Sequence, residues 1–157
     1  MGKKAIHFNG GFDVEFQSET PDLNIFKCIV QPEARTPMPH YHKQFDETVK
    51  SLVGITTVVV DSKTMQLTPG ESVLIPRGSV HQIANNTDQP IEFLCEVKPG
   101  VFGYEYFREI EPILNAGGLP DMERFKKIML SHGLVPVINF KQSLIFGLLR
   151  LIRLFKK

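Results

Sequence analysis

Short runs of strand-like sequence, separated by turn residues, recur over the first hundred residues and constrain the fold of this chain more than any other feature. β-Branched and aromatic residues are frequent in these runs, and several of the runs alternate apolar with polar side chains. Glycine, proline, asparagine and aspartate lie between them, as expected for antiparallel hairpins. The pattern predicts about eight strands, at 12–16, 23–31, 47–53, 55–60, 64–67, 72–75, 80–84 and 91–97. Many short strands with frequent turns indicate a β-sandwich or a β-barrel.

Three histidines and one glutamate within this region have the spacing of metal ligands. His40 and His42 are two residues apart, so in a strand their side chains leave the same face. Glu47 follows after four residues, which is enough chain to turn and bring its carboxylate beside the imidazoles. His81 lies on a later predicted strand and would be the fourth ligand. Such a set suits one divalent transition metal ion, and the residue types do not choose among Fe, Mn, Ni, Zn and Cu.

Other polar residues near these positions have simpler explanations. Asp46 precedes Glu47 and is a competing carboxylate for the same role. His132 lies next to Gly133 at the end of a predicted helix, where a histidine usually interacts with the helix dipole. His7 has no partner at ligand spacing, so we expect it to be packed or solvated.

Written as spacings, the pattern is H-x-H-x4-E-x6-G over residues 40–54 and G-x5-P-x-G-x2-H-x3-N over residues 70–85. These two segments resemble the two conserved motifs of the cupin superfamily, and the likeness extends over roughly residues 11–98 when flanking strands are counted. The six-residue gap to Gly54 matches the family when it is counted from Glu47, which favours Glu47 over Asp46 as the ligand. The resemblance implies an all-β fold, a double-stranded β-helix or jelly-roll barrel, which we assign to residues 1–103.

The same resemblance implies a range of possible reactions. Enzymatic cupins include dioxygenases and isomerases, so the chain is expected to be a mononuclear metal-binding cupin of one of these kinds, acting on a small organic molecule. Glu47 would be a metal ligand and also the catalytic group that takes a proton from a bound enol or hydroxyl. Two alternatives stay open, namely a non-catalytic module that binds or senses a small molecule and a barrel that the metal only stiffens.

After residue 103 the pattern changes from strands to helices. Apolar residues recur at helical spacing over 106–114 and 122–129, and Gly133 is a plausible C-terminal cap for the second helix. Residues 140–157 form a predicted amphipathic helix with an unusually wide apolar arc, shorter than a bilayer-spanning helix. We therefore predict a helical C-terminal extension, 104–157, in which the last helix packs on the barrel or on a partner subunit. A basic amphipathic helix lying on a membrane surface is the less favoured alternative.

Composition restricts the remaining possibilities. The chain has 157 residues, 42% of them hydrophobic, which suits one compact domain with a substantial core. Its net charge of +1 arises from 18 basic and 17 acidic residues, so we expect small-molecule ligands and no nucleic acid. Cys28 and Cys95 lack metal or redox spacing and are expected to be packed thiols. We also expect a homodimer, and a cytoplasmic location because the N-terminus has no apolar signal core.

Overall fold

The fold consists of two antiparallel β-sheets followed by two helices and a final short strand. The computed structural model describes residues 4–36 and 38–137. Ten strands come first: β1 (Ala5–Phe8), β2 (Phe12–Glu19), β3 (Asn24–Val30), β4 (His40–His42), β5 (Asp46–Val53), β6 (Thr56–Val60), β7 (Lys63–Leu67), β8 (Ser72–Ile75), β9 (His81–Ala84) and β10 (Ile91–Lys98). They are followed by α1 (Tyr104–Leu114), α2 (Met122–Ser131) and β11 (Leu134–Pro136).

The strands are arranged as expected for a jelly roll. One sheet has six strands in the order β1, β2, β3, β10, β5, β8, and the other has five in the order β11, β4, β9, β6, β7. From β3 onward the chain passes from one sheet to the other at every step except the β6–β7 hairpin, for example from β4 to β5 and from β8 to β9. The predicted all-β jelly roll with helices after it is confirmed.

The core lies on the inward faces of the two sheets. Along β3 and β10 the side chains alternate between buried and half-buried, the period of two that a strand imposes. Phe26 and Cys28 on β3, together with Phe93 and Cys95 on β10, are at most 2% exposed. Both cysteines are free and buried, as expected for packed thiols.

Three of the eleven strands in the described part of the chain are not among the eight predicted: β1, β11 and β4, whose histidine pair alone was expected to lie in a strand. β1 pairs with β2 and buries Ile6 and Phe8. β11 pairs with β4, so that Leu134 lies opposite His42. The segment after residue 103 is therefore not wholly helical. Leu134–Pro136 form an edge strand of the five-stranded sheet, next to the strand that carries His40 and His42.

The two helices agree with the expectation from apolar spacing. Helix α1 buries Tyr106, Phe107, Ile110 and Ile113, and Pro112 lies in its last turn without splitting it. Helix α2 begins after Asp121, whose side chain accepts a hydrogen bond of 3.2 Å from the backbone N–H of Arg124. It ends at Ser131 with His132 as the C-cap, and Gly133 follows with a φ of 78°, which is the left-handed conformation expected of a glycine after a helix.

The amphipathic helix predicted for residues 140–157 lies outside the described residues, and so do the two roles considered for it. Within residues 4–36 and 38–137, neither helix has the length and apolar character needed to cross a bilayer.

Gly54, the last residue of the first motif, gives a testable prediction about this fold. Its φ is 72°, and a Cβ atom added there would lie 2.8 Å from Cγ2 of Ile91. Gly54→Ala is therefore expected to lower the free energy of unfolding by about 1–3 kcal/mol, through backbone strain and overpacking. Urea denaturation measures the change, with Gly10→Ala as the control, because a Cβ at Gly10 meets nothing within 4 Å. Equal stabilities of the two variants would contradict this explanation of the motif glycine.

Candidate metal centre

The four residues singled out by spacing come from three strands and meet between the two sheets. His40 and His42 are the two ends of β4, and His81 is the first residue of β9, directly opposite His40. Glu47 belongs to β5 of the other sheet. The histidines therefore share one sheet, and the carboxylate reaches them from the facing sheet.

The donor atoms of these side chains are close together. The Nε2 atoms of His40 and His42 are 3.3 Å apart. Oε2 of Glu47 lies 3.6 Å from Nε2 of His42 and 3.4 Å from Nε2 of His81. One ring nitrogen from each of the three histidines lies within 4.8 Å of the others. Among the residues that the structure describes, these three histidines form a cluster able to hold a metal ion, with Glu47 at its edge.

Backbone carbonyls orient two of the imidazoles. Nδ1 of His40 donates a 3.0 Å hydrogen bond to the carbonyl of Met38, and Nδ1 of His81 donates one of 3.0 Å to the carbonyl of Ser79. Because a carbonyl oxygen only accepts, each bond assigns the proton to Nδ1. It leaves the Nε2 lone pair directed at the cluster, the arrangement that metal-ligating histidines commonly show.

A stacked aromatic ring supports the third imidazole. The ring of His42 lies 4.0 Å from that of Phe45, with 23° between their planes. Phe45 in turn stacks on Phe102 at 5.1 Å and 16°. The side chain of His42 is 2% exposed, and packing against Phe45 limits the directions in which its ring can point.

Burial keeps two of the histidines neutral. Loss of hydration is the main cause that lowers the pKa of His40 to about 4, and the neighbouring His81 lowers it further. Burial likewise lowers the pKa of His42 to about 3, although Glu47 acts in the opposite direction. Both imidazoles therefore carry a free lone pair at neutral pH, which a metal ligand requires.

His81 and Glu47 are shifted in the directions of an ion pair. Burial opposes charge on both, but their close approach raises the pKa of His81 and lowers that of Glu47 to about 2. Nε2 of His81 is nevertheless 3.4 Å from the carboxylate and has no well-aligned hydrogen-bond partner among the described residues. A buried nitrogen without a good partner beside a buried carboxylate is a place where a cation fits.

The donor set fits one transition metal ion. Donors that share an ion at the usual ~2.1 Å lie roughly 3–3.5 Å from one another. The separation of 3.3 Å between His40 and His42, and that of 3.4 Å between His81 and Glu47, fall in this range. Three imidazoles with one carboxylate are common ligands for first-row divalent ions, and binding of such an ion would displace a proton from His81.

The other polar candidates lie elsewhere. Asp46 points away from the cluster and forms two hydrogen bonds to the guanidinium of Arg77, at 3.1 and 3.0 Å. His132 caps helix α2 and lies 3.4 Å from Glu109, away from the cluster. His7 is exposed and hydrogen-bonds to the neighbouring strand's Asp13.

A cavity of about 220 Å³ opens beside the histidines. The cluster residues His40, His42, Glu47 and His81 form part of its wall. Most of the remaining wall is apolar, and much of it is aromatic: Phe8, Phe12, Phe26, Phe93, Phe102, Tyr106 and Phe107. The arrangement can therefore hold a small molecule against a bound ion and shield it from water.

The sequence did not reveal several residues that shape this site. Phe102 and Tyr106 line the cavity although both follow β10 in the sequence. Tyr106 belongs to the apolar stripe of helix α1, and such a stripe predicts packing and not a place in a ligand cavity. Cys95 lines the cavity together with Glu47, and burial raises the pKa of its thiol, which therefore stays protonated. Met38 contributes its backbone carbonyl to His40, and no side-chain pattern signals such a role.

Known structures share this fold. KdgF from Halomonas superimposes with a TM-score of 0.57 at 19% identity, over 61% of this chain and 86% of that one. A sugar phosphate isomerase of the cupin superfamily from Silicibacter pomeroyi superimposes with a TM-score of 0.54 at 22% identity, over 61% of this chain and 71% of that one. A double-stranded β-helix protein from Klebsiella pneumoniae has a TM-score of 0.55 at 23% identity, over 60% of this chain and 83% of that one. At these identities the likeness concerns the fold alone.

Sequence comparison finds a distant relative and a matching family model. An uncharacterised protein of Aquifex aeolicus is 28% identical over 71 residues, which is 45% of this chain. The match spans 56% of the length of that relative. Residues 26–97 match the family model of the cupin domain, and this segment contains both motifs and all four clustered side chains. Residues 26–97 are therefore a cupin domain.

Proposed function

We propose that this cupin binds one divalent first-row transition metal ion through His40, His42, His81 and Glu47, and uses it as an isomerase or a dioxygenase on a small organic molecule. The observation that carries the proposal is the convergence of three imidazole nitrogens within 4.8 Å, next to a carboxylate and a cavity. Two of the three rings are fixed by carbonyl hydrogen bonds, so little reorganisation is needed before an ion binds.

A bound ion would supply Lewis-acid polarisation or an oxygen-activating centre. The protein's own side chains would bind the ion, shield the substrate from water and transfer the proton. The three imidazoles would hold the ion at the wall of the cavity, and the aromatic wall would keep water from the bound molecule. Either an isomerisation or an oxygenation could use a substrate oxygen placed beside these imidazoles, so the geometry is compatible with both.

Glu47 is the residue that we assign to proton transfer. Its carboxylate lines the cavity and lies 3.4 Å from Nε2 of His81 and 3.6 Å from Nε2 of His42. It would accept a proton from a carbon or hydroxyl beside a polarised oxygen and return it at the neighbouring atom. The cavity wall contains no other carboxylate among the described residues.

The second candidate is a non-catalytic module that binds or senses a small molecule. It is favoured by the position of Glu47 between His42 and His81, at 3.6 and 3.4 Å, because a carboxylate used only as a ligand needs no freedom to move protons. Incubation with small carbonyl compounds after loading Fe, Mn, Ni, Zn or Cu separates the two candidates by NMR and oxygen uptake. Turnover that Glu47→Gln abolishes supports the enzyme, and binding without conversion under every metal supports the module.

Removal of the metal is expected to destabilise the protein. A ligand that binds only the folded state at about 1,000 times its dissociation constant adds about 4 kcal/mol to the free energy of unfolding. For a domain of this size that corresponds to roughly 10 °C in Tm. Calorimetry before and after chelation measures the change, and adding the metal back should restore the Tm. A Tm that chelation leaves unchanged would contradict a metal held by these four side chains.

A further inference from the structure

The cavity beside the histidine cluster has a composition that restricts what it can bind. Seven of its lining residues carry a phenyl or phenol ring, and Ile83, Ile110, Leu114 and Leu134 add aliphatic surface. Its volume of about 220 Å³ lies below the range of roughly 300–1,000 Å³ that is usual for drug-sized ligands. The site is therefore suited to a compact and largely apolar molecule.

Few polar groups line the cavity apart from the proposed metal ligands. The hydroxyl of Thr36 is already engaged by the backbone carbonyl and N–H of Ile83, at 3.3 and 3.2 Å. Arg35 is the only lysine or arginine among the lining residues that the structure describes, and it is exposed. A sugar would bury hydroxyl groups without partners here, which is unfavourable. A phosphate would lack the clustered N–H donors and cations that it requires.

The aromatic wall is ordered and begins at a proposed ligand. From His42 the stack continues through Phe45 to Phe102, and Phe102 lies 5.5 Å from the ring of Phe107. Phe107 contacts Phe26 edge to face at 5.3 Å. Rings that hold one another in place offer fixed faces and edges to a further ring, in the offset and T-shaped arrangements that aromatic pairs prefer.

One neutral donor lies within this wall. Burial raises the pKa of Tyr106, so its hydroxyl is protonated at neutral pH. The residue lines the cavity and packs against Phe102 at 4.8 Å. A protonated phenol can give one hydrogen bond to an oxygen of a bound molecule, which suits a ligand with a single polar end better than one with many.

We propose that the cavity binds a compact molecule with an aromatic body and one oxygen-bearing head, such as an aryl 2-oxo acid, and that it discriminates against sugars and sugar phosphates. The head would lie at the histidine cluster and the ring against the phenylalanine wall. The inference rests on the proposed function, because the head is to be held at the bound ion. It also separates this chain from the structural neighbour described as a sugar phosphate isomerase.

Calorimetric titration of the Zn²⁺-loaded protein with three ligands tests the inference. Phenylpyruvate and pyruvate share the same 2-oxo acid head and differ by the ring, and glucose 6-phosphate represents the sugar phosphates. Burial of a phenyl ring is expected to make phenylpyruvate bind about 10- to 100-fold more tightly than pyruvate. Glucose 6-phosphate is expected to bind more weakly than phenylpyruvate by at least the same factor.

A pair of leucine variants locates the effect. Leu114 lines the cavity at the end of helix α1 and is only half-buried, so Leu114→Gln should fold. It is expected to weaken phenylpyruvate binding about 5- to 10-fold, through the loss of apolar contact, and to leave pyruvate nearly unchanged. Leu119→Gln is the matched control, because Leu119 is 41% exposed and does not line the cavity.

The outcomes separate this inference from the metal proposal. Glucose 6-phosphate binding as tightly as phenylpyruvate, or pyruvate matching phenylpyruvate, would overturn the inference and leave the metal site standing. If Zn²⁺ itself fails to bind, the proposed function falls together with the head-group part of the inference. The preference of the cavity for an aromatic body is then tested by titrating the metal-free protein with phenylpyruvate and with glucose 6-phosphate. Equal binding of the two, or no binding of either, would overturn that preference.

Discussion

Replacing His81 by alanine is expected to weaken divalent metal binding by more than about 100-fold, whereas the same change at His7 is expected to leave it intact. Even groups that only orient a ligand cost 10- to 100-fold when removed, and His81 is assigned here as a ligand itself. The residue is opposite His40 on the neighbouring strand, and its Nε2 is directed at the cluster by the Ser79 carbonyl. Titration of the metal-free variants with Zn²⁺ or Co²⁺ measures the loss.

The comparison with His7 controls for the general effect of losing a histidine. His7 is exposed, and it lies on β1 of the other sheet, outside the cluster. Circular dichroism of His81→Ala should show the strand content of the parent protein, because the fold rests on the apolar core. Wild-type affinity in a folded His81→Ala protein would contradict the proposed ligand set, and so would an equal loss in His7→Ala.

The second large effect is expected at Phe45, where Phe45→Ala should lower the free energy of unfolding by about 3–5 kcal/mol. The side chain is 0% exposed, so its removal leaves a cavity that the surrounding side chains fill only in part. It also separates His42 from Phe102, so the variant is expected to lose about 10- to 100-fold in metal affinity as the imidazole loses its support.

Chemical denaturation and metal titration of the same Phe45→Ala sample measure both effects. Leu74→Ala is the control, because Leu74 is 60% exposed on the edge strand β8 and should change stability by less than about 0.5 kcal/mol. Similar stabilities for the two variants would contradict the packing described for Phe45. A destabilised Phe45→Ala with unchanged metal affinity would show that stacking does not position His42.

The strands of the barrel could be predicted because their signals are local. Alternation with a period of two marks β3 and β10, and the glycine and proline turns between strands are readable from the sequence alone. The predicted strand 91–97 ends one residue before the observed β10, Ile91–Lys98. The short strands β1 and β11 were missed because their pairing with β2 and β4 depends on contacts between distant parts of the chain.

The difference between local signals and long-range contacts also explains which parts of the site could be predicted. The histidine pair and Glu47 were predicted from spacing, and the facing sheets bring these side chains within hydrogen-bonding or ion-pair distance of one another. Their role as metal ligands, and that of Glu47 in catalysis, stay predictions. The wall formed by Phe102 and helix α1 could not be predicted, because an apolar helical stripe indicates burial without saying which surface it covers.

The most direct test is elemental analysis of the protein purified without added metal, carried out in parallel on His81→Ala. We expect about one first-row transition metal ion per wild-type chain, or stoichiometric uptake of one after chelation, and neither in the variant. A wild-type protein that neither retains such an ion nor takes one up, or a variant that carries as much as the wild type, would contradict the claim that these four side chains form a metal site.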